Sequence, residues 1–104
     1  MKVRNLINAN GNAVANQFVI EDGNEICFQS YDSLVCKVVN GKVILGCDFD
    51  YSRTTAKHLH TFMKEYAYMT LAKCENSISS YNSFSDMLRK AIKKGIVQYD
   101  GEMV

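Results

Sequence analysis

Two histidines are the first side chains whose types suggest chemistry. His58 and His60 lie two residues apart in a segment whose apolar spacing predicts a helix. That spacing sets the two imidazoles about 200° apart around the helix axis, so they cannot chelate one ion together. We therefore expect both to border the buried face of the helix.

Two aspartates just before that helix are the next candidates. Asp48 and Asp50 share one side of an extended segment, where they could hold a divalent cation. A metal nuclease needs a further carboxylate and a basic residue around such a pair, and nothing in the sequence brings them there. Carboxylates are stabilised by the positive N-terminal end of a helix, and this effect already explains the presence of two aspartates just before it. We expect no metal site and no cofactor.

A short hydroxyl-rich run follows at residues 52–55, Ser-Arg-Thr-Thr. Free backbone N–H groups at a helix N-terminus can bind phosphate, but the glycine-rich approach of a phosphate loop is missing. We expect Ser52 to cap the helix.

Four cysteines complete the candidates: Cys27, Cys36, Cys47 and Cys74. None forms a Cys-x-x-Cys pair, and the two histidines lie at the wrong spacing to complete a zinc site. Three of the four fall in predicted strands, so we expect reduced thiols that pack as small apolar side chains.

A basic cluster lies near the C-terminus and consists of Arg89, Lys90, Lys93 and Lys94. These residues form i,i+4 rows opposite an apolar helix stripe, with Tyr81 and Tyr99 close in sequence. A surface of this kind can bind nucleic acid. The net charge of the chain is only +1, however, whereas nucleic-acid binders usually carry a basic excess.

Length and composition predict one folded domain. The chain has 104 residues, of which 47% are hydrophobic and 22% charged. Its apolar runs are far shorter than a membrane span, and its N-terminus lacks the apolar segment of a signal peptide. We expect a cytoplasmic protein without a membrane partner.

The elements that must position these side chains predict an α+β fold. It is a four-stranded antiparallel β-meander followed by two helices packed on one sheet face, with room for a short C-terminal edge strand. The predicted parts are an N-terminal loop over 1–16, the meander over 17–47, a first helix region over 52–74, a second helix over 83–94 and the edge strand over 96–99. Residues 67–74 can also be read as a strand, but helix is favoured.

Two glycine turns set the predicted registers. A three-residue loop at Asp22-Gly23-Asn24 would pair Ile20 with Ile26 and Phe18 with Phe28, so that apolar residues share a face. Asn40-Gly41 predicts a two-residue turn in which Val38 lies opposite Val43 and Cys36 opposite Leu45.

These registers divide the sheet into two faces. The predicted core face carries Phe18, Ile20, Ile26, Phe28, Leu34, Cys36, Val38, Val43, Leu45 and Cys47. The second face is mostly polar, yet it includes an apolar strip. Either the N-terminal loop, with Leu6, Ile7 and Val14, or another chain covers that strip. The candidates for a protein interface are Val19, Val35, Lys37, Val39 and Ile44.

Four runs of residues resemble a family of small uncharacterised proteins from bacteriophages and other bacterial mobile elements. They are Asn5–Asn12, Asn16–Ile20, Phe28–Ser33 and Asp50–Leu59, and the resemblance extends over about residues 3–66. The family supplies no catalytic residues. What the resemblance implies is a product that acts in the cytoplasm of a bacterial host.

Three functions follow from these observations. The first is a non-enzymatic binding protein that acts by protein–protein contact, with a host defence protein as partner in the manner of an anti-CRISPR inhibitor, or with itself. The second is a nucleic-acid-binding regulator that uses the basic cluster. The third is a small metal-dependent enzyme around Asp48, Asp50 and His58, for which no catalytic motif is present.

Overall fold

The computed structural model describes residues 1–104 as one sheet covered by three helices. The strands are β1 Lys2–Ile7, β2 Ala13–Asp22, β3 Glu25–Ser30, β4 Ser33–Val39, β5 Lys42–Gly46 and β6 Gln98–Asp100. The helices are α1 Arg53–Tyr66, α2 Tyr68–Ser77 and α3 Phe84–Lys93. The predicted α+β class is confirmed, but the sheet has six strands rather than four and the helices number three rather than two.

The strands lie in sequence order across the sheet. Neighbours from β1 to β5 are antiparallel, and β6 returns after the helices to pair parallel with β5. The pairing of Leu45 with Tyr99 therefore completes a mixed sheet. The predicted C-terminal strand is present, although it begins and ends later in the chain.

The N-terminal segment is the largest correction. Residues 1–16 were expected to form a loop, but they contain β1 and the start of β2. Only residues 8–12 turn, where the Asn8 carboxamide oxygen accepts hydrogen bonds from the N–H groups of Asn10 and Asn12. Because β1 is an edge strand with Leu6 as its only buried residue, it shows little apolar alternation.

Arg4 fastens this edge strand to the rest of the molecule. Its guanidinium donates to the Glu21 carboxylate across the β1–β2 pair at 2.6 Å and to the Tyr66 hydroxyl at the end of α1. The same group lies 5.6 Å from the Tyr66 ring centroid. These two hydrogen bonds raise the pKa of Arg4.

The Asn40-Gly41 turn has the predicted register. Val38 pairs with Val43 and Cys36 with Leu45. Asn40 and Gly41 have φ angles of 52° and 78°, the conformation that a two-residue hairpin of this type requires.

The first glycine turn is one residue shorter than predicted. Asp22 pairs directly with Glu25, which leaves Gly23 and Asn24 as a two-residue loop and sets Val19 opposite Phe28. Val19 therefore faces the core, and Phe18 and Ile20 lie on the other face. The pattern was ambiguous because β2 has apolar residues at three consecutive positions, so either face could be taken as the buried one.

A β-bulge makes the second correction to the faces. Phe28 pairs with Cys36 and Gln29 with Leu34, so Val35 has no partner on β3. The bulge turns the side chain of Val35 into the core, where it is fully buried. Leu34 is half-buried.

The helices cover one face of the sheet. Ser52 caps α1 by accepting the Thr55 N–H at 3.1 Å, and Ser83 caps α3 in the same way. Ala67, with φ of −140°, separates α1 from α2, so the predicted first helix region is two helices. Strands and helices share a cluster of 20 buried residues. No helix has the length and apolar character needed to cross a bilayer.

Candidate functional site

The face of the sheet opposite the helices, here called the outer face, carries apolar side chains that no helix covers. One row crosses all six strands and consists of Val3, Ile20, Cys27, Lys37, Ile44 and Gln98. Neighbouring rows add Phe18, Leu34 and Val39. Val3 is 59% exposed and Cys27 is 7% exposed, and the other apolar side chains of this face are half-buried. Antiparallel sheets usually present polar side chains on an open face.

Of the five interface candidates, three lie on the outer face. Lys37, Val39 and Ile44 are half-buried there, as their positions in the sequence predicted. Val19 and Val35 do not, because the shorter turn and the bulge place them in the core, where they are 1% and 0% exposed. Phe18, Ile20 and Leu34 replace them on the outer face.

The N-terminal segment does not cover the outer face. Leu6 points into the core and Ile7 is 46% exposed, since the segment forms an edge strand instead of folding over the sheet. The C-terminal residues cover one corner, where the Cys47 N–H donates to the Met103 carbonyl and the Met103 side chain lies over Gly46. Most of the apolar strip stays open.

Charges of both signs accompany the apolar strip. The ammonium group of Lys37 lies 3.9 Å from the Glu25 carboxylate, and Lys42 is exposed beside them. Burial raises the pKa of the neighbouring Cys27 thiol, while Lys37 opposes that shift. The outer face therefore combines apolar side chains with one ion pair, whose lysine lies within the row itself.

Three of the cysteines and both histidines have the packing roles that their positions predicted, whereas Cys47, predicted on the core face of a strand, lies just after β5 and is half-buried. All four cysteines are free, and three of them are buried. The His60 ring lies 4.6 Å from the Phe84 ring, which joins α1 to α3. Partial burial lowers the pKa of both His58 and His60, and Lys57 and Lys64 lower them further.

Asp48 and Asp50 bind different groups of the protein. Asp48 accepts a hydrogen bond from the Ser33 hydroxyl at 2.8 Å, whereas Asp50 binds the guanidinium of Arg89 at 2.8 Å. No group of three or more histidine, cysteine, aspartate or glutamate side chains is placed to hold a metal ion. Asp48 and Asp50 thus belong to different surroundings, and His58 makes no contact that joins them.

The basic cluster on α3 is partly neutralised. Arg89 pairs with Asp50, and the Lys90 ammonium group lies 3.5 Å from Asp86 and donates to the Ser80 carbonyl. Lys93 and Lys94 remain exposed. Two free cations make a small electrostatic footprint for a nucleic acid.

A cleft of about 580 Å³ opens between the β3–β4 turn and the N-terminus of α1. Eleven residues line it, and all of them except Val35 carry a polar group. Gln17 lies at its buried end, and Tyr31 and Tyr51 are exposed at its rim. Sequence patterns did not single out this cleft, because its residues come from four separate segments.

The sequence matches a family over residues 1–83, described as "Family of unknown function (DUF8033)". The chain belongs to this family. No curated protein and no solved structure matches the chain. The DUF8033 match covers β1 to β5, α1 and α2, and therefore includes both the outer face and the cleft.

Proposed function

We propose that this DUF8033 protein is a non-enzymatic binding protein that recognises another protein through the outer face. The observation that carries the proposal is the row of six paired residues across the outer face, in which four side chains are apolar: Val3, Ile20, Cys27 and Ile44. Contiguous apolar surface on a small protein commonly marks an interaction site.

The chemistry of the outer face describes the partner. Its apolar side chains favour a partner that contributes apolar side chains of its own. Lys37 within the row, with Glu25 and Lys42 beside it, favours polar contacts of both signs next to the apolar ones. Protein interfaces commonly combine apolar contacts with hydrogen bonds and ion pairs in this way.

The finer part of the proposal concerns context. The four sequence runs that resemble bacteriophage and mobile-element proteins support a role inside a bacterial host, with a defence protein such as a CRISPR nuclease as the partner. A protein of 104 residues without a catalytic motif is well suited to inhibition by surface contact.

Ile44→Glu is the most informative substitution for this proposal. Ile44 pairs directly with Lys37, so a glutamate there gains an opposite charge across the strands and the fold is expected to tolerate it. The same change replaces one of the apolar side chains of the outer face with a carboxylate. Binding of the partner should weaken about tenfold or more, measured by affinity capture and then by titration calorimetry with the purified partner.

Met69→Glu is the matched control. Met69 is 81% exposed on α2, away from the outer face, and the substitution adds the same charge to the molecule. Thermal unfolding of both variants should resemble that of the wild type. Equal loss of the partner in both variants, or equal retention, would contradict the proposal. If the wild type has the mass of a dimer in solution and Ile44→Glu has the mass of a monomer, the outer face binds a second copy of this chain instead.

The defence part has its own experiment. The protein is expressed in bacteria whose CRISPR system restricts a tested phage, and plaques are counted. The wild type and Met69→Glu should restore plaques, and Ile44→Glu should not. Plaque counts unchanged by the wild-type protein would remove the defence role while leaving protein binding to be judged by calorimetry.

A further inference from the structure

The buried amide of Gln17 is the starting point of a second site. Gln17 is 2% exposed, lines the cleft, and its Oε1 atom has no hydrogen-bond partner among the protein's atoms. Removing an amide from water without a partner destabilises a fold, and buried polar groups in proteins are therefore nearly always paired. Because Gln17 lines the cleft, a ligand bound there could complete the hydrogen bonding of its amide.

The rim of the cleft is held in an unusual backbone conformation. Tyr31 has φ of 53° and Asn16 has φ of 63°, and the Tyr31 N–H donates to the Asn16 carbonyl at 2.7 Å. A bulky residue in the left-handed region is strained, and glycine would relieve that strain. The arrangement keeps the 64% exposed Tyr31 ring beside the opening, where it offers a flat apolar surface.

Charge decides which ligands the cleft accepts. Asp32 and Asp48 contribute carboxylates to the lining, and no lysine, arginine or histidine is present to balance them. The N-terminus of α1 opposes this charge, because its first-turn N–H groups lack intrahelical partners and form a positive pole. An anionic ligand meets two carboxylates and is therefore disfavoured, whereas a neutral ligand that carries hydroxyl groups can donate to the carboxylates and accept from the helix N–H groups.

We propose that the cleft binds a neutral ligand with adjacent hydroxyl groups, as found in a sugar or in the ribose of a nucleoside. A hydroxyl both donates and accepts, so it pairs with the Gln17 amide in either orientation and with the serine, threonine and aspartate groups of the lining. The cleft volume of about 580 Å³ is that of a site for a small molecule. This site lies on the helix side of the sheet and is independent of the outer face.

The probes are adenosine, methyl glucoside and adenosine monophosphate, each titrated into isotope-labelled protein and followed by NMR. Saturable shifts of the Gln17 side-chain amide and the Thr54 backbone are expected with adenosine, with methyl glucoside, or with both, and the pattern separates a nucleoside from a free sugar. Adenosine monophosphate should bind about tenfold more weakly than adenosine, because its phosphate meets Asp32 and Asp48.

Gln17→Met separates a ligand-binding role from a structural one. Methionine has a similar shape but no amide, so the variant should keep or raise the melting temperature while the affinity for the bound probe falls about fivefold or more. Gln98→Met, at an exposed position of β6, is the matched control and should change neither property. Thr54→Val, an exposed change in the lining, should weaken binding without unfolding the protein.

Four outcomes would overturn the assignment. The first is no shift with any probe at about 10 mM, a concentration that detects even weak ligands. The second is a lower melting temperature with unchanged binding in Gln17→Met, which would make the amide structural. The third is binding of adenosine monophosphate at least as tight as that of adenosine. The fourth is tighter binding of spermidine than of adenosine, which would show that the site prefers cations. Ile44→Glu should leave binding of the probes unchanged, so this result is separable from that on the outer face.

Discussion

At the scale of single residues, backbone conformation and close contact decide several features of this protein. Tyr31 and Asn16 take up left-handed conformations at the rim of the cleft, and Gly41 completes a turn that only a few residue types allow. Gly46 is required for a different reason. Its φ angle is ordinary, but the surrounding backbone leaves no space for a side chain. A Cβ atom there would lie 2.6 Å from the Met103 carbonyl oxygen and 2.7 Å from that of Leu34.

Gly46→Ala is therefore expected to destabilise the fold by about 1–3 kcal/mol, because the two obstructing atoms belong to the backbone and the strands must shift. The measurement is the free energy of unfolding in urea. Gly101→Ala is the control, since the nearest atom to its Cβ is 3.3 Å away on the exposed Tyr99 ring, which can move. Equal stability of Gly46→Ala and the wild type would show that the C-terminal residues do not hold this position in solution.

At the scale of elements, the histidines join α1 to the structures around it. His60 packs on Phe84 of α3, and both His58 and His60 lie at the border of the buried face. Desolvation lowers the pKa of each imidazole from its ordinary value of 6.5. The unfolded chain then binds more protons than the folded chain below that value, so acid favours unfolding.

The expected result is a fall in stability as the pH is lowered from neutral through 6.5 and below, because the contribution of the histidines is complete above their ordinary pKa and is lost as the pH falls through the lowered one. The measurement is the urea midpoint across this range. The double variant His58→Gln with His60→Gln should show a smaller slope. Lys73→Gln, an exposed change on α2, should keep the wild-type slope. An unchanged slope in the histidine variant would contradict the prediction.

At the scale of the whole molecule, the core extends beyond the family match. The DUF8033 match ends at residue 83, yet Met87, Leu88 and Ala91 of α3 and Val97 before β6 belong to the same buried cluster as the sheet. The remaining segment thus closes the core over the sheet and pairs with the edge of β5. Residues outside the match contribute to the stability of those inside it.

A chain truncated after Ser83 is accordingly expected to lose cooperative unfolding, because the apolar side chains beneath α3 become exposed. Thermal unfolding followed by circular dichroism measures this. The variant Lys93→Ala with Lys94→Ala, which changes only exposed side chains of α3, should unfold at nearly the wild-type temperature. A truncated chain with a sharp transition near that temperature would show that the matched region folds alone.

The sequence by itself determined the features that depend on neighbouring residues. Asn40-Gly41 set the β4–β5 register, Ser52 and Ser83 marked the helix starts, and the apolar stripes predicted the buried faces of α1 and α3. Each of these is decided by local sterics and by a period that is visible within one element. They were sufficient for the α+β class and for placing Lys37, Val39 and Ile44 on one face.

Only the tertiary structure decided the features that depend on distant partners. The first glycine turn is compatible with two registers, and the register that forms places Val19 on the core face. A β-bulge places Val35 in the core. The edge strand β1 carried too few apolar residues to show a period. Gln17 and Ser52 belong to separate segments of the chain but both line the cleft. Sequence spacing does not predict this proximity, because long-range packing against the whole core brings the two residues together.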